Sequence, residues 1–298
     1  MADVLSRGSL FPEALIPELI NKVKGHSALA ALCGSTPIPF NGLKEFTFTM
    51  DKEVDIVAEN GAKTKGGVTV LPVTIVPIKF EYGARVSDEF RYGSDEVRLQ
   101  YLSAFTEGFA RKLARGLDIA AFHGLNPRTG AASAVIGSNH FDAAVQNLVT
   151  YDAAHPDENL DDAIAAIQAA EGDVTGMALS PAFGAAMAKV KVNGLPQYPE
   201  FRFGQKPASF AGIGVDINNT VTVAATGERT DHAVIGDFAS AFKWGYAKQI
   251  PLEVIEYGNP DNDQTLGDLK GHNQVYLRCE AYLGWGILDA ASFAVVYA

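Results

Sequence analysis

Cysteine is scarce in this chain: two occur in 298 residues, Cys33 and Cys279, nearly the whole length apart. No CxxC or Cys/His ligand spacing exists, which argues against a zinc or thiol-redox motif and leaves two free thiols acting as small apolar side chains. Basic clusters are missing as well. Against 24 Lys and Arg stand 35 Asp and Glu, for a formal net charge of −11. A chain of that sign should not grip phosphates over a broad surface. No apolar run reaches the roughly 18 residues a membrane span needs; the nearest, at the C-terminal end, is interrupted by Asp289. The opening MADVLSRGSLFPEALIPEL lacks a basic segment followed by a clean apolar one. It does not read as a signal peptide, and the expectation is a soluble protein made in a reducing cytoplasm.

The motifs of common enzymes are absent too. Gly212-Ile-Gly214-Val-Asp216 offers two glycines of a dinucleotide fingerprint but no third and no following helix. Asn60-Gly-Ala-Lys-Thr64 echoes a phosphate loop at the wrong spacing and precedes a strand. No GxSxG elbow occurs. The six histidines, His26, His123, His140, His155, His232 and His272, include no i, i+4 pair and no HExxH. No catalytic residue, cofactor or metal ligand is therefore expected.

What is present is a strongly ordered series of elements. Residues 1–43 are punctuated by Pro12, Pro17, Pro37 and Pro39, yet Leu15, Ile16, Leu19, Ile20 and Val23 recur at helical spacing and Ser27-Ala-Leu-Ala-Ala-Leu32 reads as a second short helix. An amphipathic helix on an extended arm has little of its own to pack on and implies a partner surface. Phe46, Phe48 and Met50 then alternate with Thr47 and Thr49, the period of a strand. Asn60-Gly61 and Gly66-Gly67 mark a turn region. The return leg, Val68 to Tyr82, is rich in β-branched residues, and Pro72 and Pro77 within it argue for an edge strand or a free ribbon. A two-stranded ribbon alone is marginal in water, so another molecule should support it.

Residues 94–123 read as one long helix. Ser94 is the expected N-cap, with Asp95 and Glu96 in the first turn, and Gly124 the stop. Val97, Tyr101, Phe105, Phe109, Leu113, Leu117 and Ala121 recur every four residues as its core face. After a loop-like 125–155, a helix is predicted over Asn159–Glu171, a strand at Met177–Leu179, and a helix from Ser180-Pro181 to about Lys191. Short strands are predicted at Ile213–Ile217, Val221–Ala224, Ala233–Ile235, Ala241–Tyr246 and Leu252–Glu256. Gly258–Gly271 should be a polar loop, followed by two closing strands, Val275–Leu283 and Gly286–Val296.

This order resembles that of the tailed-phage major capsid proteins of the Hong Kong 97 type. Pro17 to Ser27 looks like the family's N-arm helix and Ala58-Glu-Asn-Gly-Ala62 like the tip of its extended loop. Tyr82-Gly-Ala-Arg-Val-Ser-Asp-Glu-Phe90 is similar to the passage into the spine helix, and Leu113 to Gly124 to the end of that helix. Met177-Ala-Leu-Ser180 resembles the start of the axial domain, Ile235-Gly-Asp-Phe238 its Gly-Asp-aromatic turn, and Arg278 to Val296 the closing strands.

The resemblance implies an α+β, HK97-like capsid fold: an N-arm (1–43), an extended β-hairpin loop (44–86), a peripheral domain (87–154) with a spine helix over 94–123, an axial domain (155–273), and C-terminal strands (274–298) returning to the peripheral domain. It implies a non-enzymatic shell subunit of a virion, forming pentamers and hexamers of an icosahedral head around double-stranded DNA that it does not read by sequence. Scaffolding, portal and decoration proteins would be further partners, and no membrane is implied. Glu59, Lys63 and Lys65 at the loop tip, Leu15 and Leu19 on the arm, and Tyr198 in the axial domain are the implied inter-subunit contacts. Some relatives crosslink a loop lysine to a neighbour's Asn, but no partner for Lys63 or Lys65 can be read here. Three rivals share parts of the pattern. An encapsulin-type shell has the same fold, an α/β nucleotide-dependent enzyme would fit 159–191, and a decoration or tail-tube subunit fits the long helix poorly.

Overall fold

The structure is a computed structural model and describes residues 27–89 and 95–298. The expected arm helix around Leu15 and Leu19, and Ser94 as a helix cap, lie outside the described residues.

The described chain opens with a short helix, α1 (Ala28–Leu32), capped as expected by Ser27, whose hydroxyl accepts from the Ala30 amide. Strands β1 (Leu43–Met50) and β2 (Val68–Ile75) form a two-stranded antiparallel ribbon. The predicted return leg is not one strand. It breaks at Val76-Pro77, where proline supplies no donor, and continues as β3 (Ile78–Ser87) in a different sheet. Next comes the long helix α2 (Asp95–His123). It ends where Gly124 takes φ +66°, a conformation unfavourable to a side chain, with the His140 ring closed over it. The burial of α2 departs from its four-residue stripe. Leu102, Phe109, Leu113 and Leu117 are buried, but Tyr101 remains 45% exposed. A strict repeat of four gains about 40° per step on a 3.6-residue helix, so the stripe winds off the core face.

The stretch expected to be loop contains a helical turn, α3 (Phe141–Ala144), and strand β4 (Asn147–Thr150). Helix α4 (Pro156–Gln168), strand β5 (Gly176–Leu179) and helix α5 (Pro181–Met187) follow. Ser180 caps α5, its Oγ accepting from the Phe183 amide at 3.0 Å, and the helix stops short of the predicted Lys191, which starts a small hairpin. That hairpin pairs β6 (Lys191–Val192) with β7 (Leu195–Pro196). Strands β8 (Ser209–Phe210), β9 (Ile213–Ile217) and β10 (Asp231–Gly236) complete the middle of the chain.

The predicted strand at Val221–Ala224 is not formed. Asn219–Thr222 is a 3-10 turn capped by Asn218. Ala241–Tyr246 and Leu252–Glu256 are one strand, β11 (Phe242–Ile255), with register shifts between Tyr246 and Lys248 and between Ile250 and Glu253. The closing pair also divides differently. β12 (Gln274–Ile287) runs through Gly284-Trp-Gly286, and β13 (Phe293–Tyr297) follows a turn capped by Asp289.

Two sheets organise these elements. β11-β12-β3 is antiparallel throughout, and β4-β13-β10-β5-β9-β8 is mixed. β12 therefore stays beside β3, whereas β13 lies inside the six-stranded sheet. Alternation along the six-stranded sheet separates two cores. Met177, Leu179, Ala233, Ile235, Ala294 and Val296 face Leu160, Ile167, Phe183 and Met187 of α4 and α5. Ala178, Val234, Phe293 and Val295 face the larger core, which holds α1, α2 and the inner faces of β11 and β12 with Trp244 and Trp285.

Candidate assembly surface

The ribbon leaves a run of its apolar side chains uncovered. Cross-strand partners share a face in an antiparallel pair. The pairs Phe46–Pro72, Phe48–Val70 and Met50–Val68 therefore line up on one side. Phe46, Phe48 and Met50 are 65%, 59% and 71% exposed. The opposite side carries Thr47, Thr49, Thr69 and Leu71, with the Thr47 hydroxyl donating to the Leu71 carbonyl at 3.2 Å. Pro72 is tolerated because each strand of a two-stranded ribbon has one unpaired edge.

The base of the ribbon is fixed firmly. Ile75, opposite Leu43, is fully buried against the backbone of β12, at a place where a side chain on Gly286 would lie 2.8 Å from it. Lys243 of β11 reaches Glu45 at 2.7 Å. At the far end, the Asp51 carboxylate accepts from the Gly67 amide at 2.6 Å, and beyond it Asn60 takes φ +63° in the Ala58–Gly61 turn. Glu59, Lys63 and Lys65 all stand exposed in this tip, with Val54 and Ile56 between them and the strands at 93% and 97% exposure. The other candidates are elsewhere. Tyr198 donates its hydroxyl to Asp157 at 3.1 Å and packs its ring edge-on against Phe210. It neighbours the β6–β7 hairpin, where Val192 and Leu195 are exposed, and Phe203, 90% exposed. Leu15 and Leu19 lie outside the described residues.

Two polar clusters join the elements beneath this surface. In the first, Asp118 of α2 is wholly buried and accepts from the Ser27 hydroxyl, the Ala28 amide at 2.9 Å, the Leu29 amide at 3.3 Å, the Thr220 hydroxyl at 2.8 Å and the Asn218 amide at 3.4 Å. Burial pushes its carboxyl up to about 6, and the hydrogen bonds hold it from going higher. One carboxylate thus ties α1, the spine helix and the 219–222 turn together.

The second cluster lies at the last residue of α2. His123 Nε2 sits 3.0 Å from the Thr220 carbonyl and its Nδ1 2.9 Å from Asp142 Oδ2, with Asp231 Oδ2 at 4.0 Å. Arg229 lies 3.4 Å from Asp142 Oδ1 and 3.2 Å from Asp231 Oδ1. The latter approach pairs charges without making a hydrogen bond, and neither Asp231 oxygen has a hydrogen-bond donor. Burial, and then the neighbouring Asp142, push the Asp231 carboxyl well above the ordinary carboxylate range. Sequence spacing gave no sign of this cluster, since its members come from three separate elements. The two cysteines are buried and unpaired; burial raises Cys33 to about 11 and Cys279 to about 12, so neither is a ready nucleophile. Among the described residues, no helix is long and apolar enough to cross a membrane.

Comparison with known proteins places this architecture. The family model described as the phage capsid family matches residues 7–297. A solved structure from Mycobacterium phage Ogopogo is 30% identical with a TM-score of 0.80, covering 91% of this chain and 92% of that one. Another, from Gordonia phage Cozz, is 26% identical with a TM-score of 0.74, covering 90% of this chain and 85% of that one. The capsid of a native GTA particle shares the fold at 14% identity and a TM-score of 0.64, over 91% of this chain and 89% of that one. No curated protein matches.

Proposed function

The chain belongs to the phage capsid family, and we propose on that premise that it forms the pentamers and hexamers of an icosahedral head enclosing double-stranded DNA. It is a structural, non-enzymatic protein of the virion capsid with an HK97-like fold, and it associates with itself into shells. The observation that carries the finer reading is the ribbon's uncovered face. Phe46, Phe48 and Met50, with Val68, Val70 and Pro72 opposite, make a continuous apolar strip that the subunit does not bury. Contiguous exposed apolar surface of this kind marks an interaction site, and a neighbouring copy is the partner that a repeating shell supplies.

On this reading the ribbon lies over the adjacent subunit, and Glu59, Lys63 and Lys65 at its tip touch that neighbour. Leu15 and Leu19 belong to an arm that clasps another copy. The segment with Val192, Leu195, Tyr198 and Phe203 approaches the capsomer axis. The net charge of −11 suits a wall that contains DNA without gripping it. Subunits made in the host cytoplasm would meet scaffolding, portal and decoration proteins during assembly.

Electron microscopy of the purified protein, with size-exclusion chromatography and nuclease protection, tests the proposal. Closed polyhedral shells or discrete pentamers and hexamers are expected, with protected DNA in particles from infected cells. A monomer near 31.7 kDa across concentration and salt would overturn it. Shells filled with a protein cargo in place of DNA would favour the encapsulin-type reading.

A further inference from the structure

We propose that His123, Asp142 and Asp231 form a structural site for one divalent transition-metal cation of the zinc class. Among the described residues they are the group whose ligand atoms, one imidazole nitrogen and two carboxylate oxygens, all lie within 4.8 Å of one another.

The tautomer of His123 makes the first part of the case. A carbonyl oxygen can only accept, so the Nε2 that lies 3.0 Å from the Thr220 carbonyl carries a hydrogen. Nδ1 then faces Asp142 Oδ2, 2.9 Å away, and Asp231 Oδ2, 4.0 Å away, so a cation bound between them would take the place of the proton on that nitrogen. One ring nitrogen and two carboxyl oxygens thus converge on one point, with the chemistry of a three-ligand cation site. Metal-bound histidines have this arrangement, one nitrogen on the ion and the other N–H held by a backbone carbonyl.

Asp231 makes the second part. It is 1% exposed, and neither of its oxygens accepts a hydrogen bond. A buried carboxyl group without donors must keep its proton or meet a cation, and an ion at this point would replace the proton. Arg229 approaches both carboxyl groups from the other side, at Asp142 Oδ1 (3.4 Å) and Asp231 Oδ1 (3.2 Å), and leaves both Oδ2 atoms to the His123 side. Each Oδ1 faces the guanidinium, and each Oδ2 faces His123. Ligands about 2.0–2.2 Å from a tetrahedral ion stand roughly 3.4 Å apart, and the observed 2.9 Å and 4.0 Å bracket that spacing. One imidazole with two carboxylates suits zinc or manganese better than calcium or magnesium, which favour all-oxygen shells. An ion here would pin the end of the spine helix α2 to α3 and to β10.

The test uses the untagged full chain, stripped with a chelator and equilibrated with Zn²⁺, with bound metal counted per chain. The count applies equally to free subunits and to shells, so it stands or falls separately from the capsid assembly. The expected result is one tightly held zinc in the wild type. It should fall at least tenfold at the same free zinc in Asp231→Asn and His123→Gln, and be kept in His155→Gln, which alters an exposed histidine paired with Asp152. Less than a tenth of an equivalent in the wild type, or undiminished binding in Asp231→Asn, would overturn the proposal. Should the variants fail to fold, Co²⁺ in the wild type decides. An intense tetrahedral visible spectrum that Zn²⁺ displaces supports the site, and a spectrum like that of aqueous Co²⁺ refutes it.

Discussion

Phe48 in the ribbon and Phe293 in the six-stranded sheet are the same side chain in opposite circumstances: Phe48 is 59% exposed and Phe293 not at all. Both sit in strands with period-two alternation. In the body the alternating faces meet two cores, one on α4 and α5 and one on α2, so the apolar side chains of β5, β10 and β13 find partners in their own chain. In the ribbon only the base is covered, where Ile75 lies over Gly286, and the outward face continues for three cross-strand pairs with nothing beneath it. Alternation thus tells where a strand turns its apolar face. It does not tell whether that face is covered by the chain's own residues or by another molecule.

Substitutions that remove apolar surface should therefore separate the two regions. Trp285→Ala in the buried core should cost about 3–5 kcal/mol of subunit stability. It removes a fully buried ring whose Nε1 donates to the Asn139 carbonyl at 2.9 Å. Urea unfolding of the unassembled subunit measures the loss.

A smaller effect is expected from Asp118. Its folded carboxyl, at about 6, lies above the 3.8 of an unfolded aspartate, so the folded state holds a proton that the unfolded state has released. This contribution is fully present below about pH 4, declines as pH rises through about 6, and is absent above. It should make the subunit on the order of 3 kcal/mol less stable at neutral pH than in mild acid. Asp118→Asn should flatten that dependence, as unfolding at a series of pH values would show. An unchanged slope would mean that another acid carries it.

Lys243→Ala, which leaves Glu45 unpaired at the ribbon base, should cost about 0.5–1 kcal/mol. It should raise hydrogen exchange in β1 before exchange rises in the body.

The smallest effect on the subunit belongs to the ribbon itself. Phe46→Ser with Phe48→Ser should shift its unfolding by no more than about 0.5 kcal/mol and still abolish shells in the electron microscope. A large loss of subunit stability in that variant would mean that the ribbon face is covered by its own chain.

The elements legible from sequence are those whose signals are local. Ser27 before Ala-Leu-Ala-Ala-Leu, Ser180-Pro181 before α5, Asn60-Gly61 at the tip and Gly124 after α2 each stand where the backbone needs a cap, a turn or a positive φ. Long-range contacts overrode the rest. Val221–Ala224 has β-branched residues suited to a strand, but the Thr220 hydroxyl is bound to Asp118 and its carbonyl to His123, which holds 219–222 as a turn. The return leg reads as uniform β composition across Val76-Pro77, and only the pairing of β3 with β12 shows that two sheets divide it. The exposed ribbon face was visible as alternation with no third strand to cover it. The His123 cluster was not, because Asp142 and Asp231 are 19 and 108 positions away from it (142−123 and 231−123), and no spacing rule links such residues.

The break at Val76-Pro77 also has a mechanical meaning. The ribbon is covalently continuous with β3, whose residues Ile78 to Ser87 are matched one to one with Leu283 to Gln274 of β12. Hydrogen bonds in an antiparallel pair run perpendicular to the strands. A pull on the ribbon directed along β3 therefore loads that whole row at once, in shear, where a pull across the strand would peel the bonds one by one. Tension between neighbouring subunits would then be taken up by ten residue pairs acting together, and the strand that reaches outward is itself anchored as a lap joint.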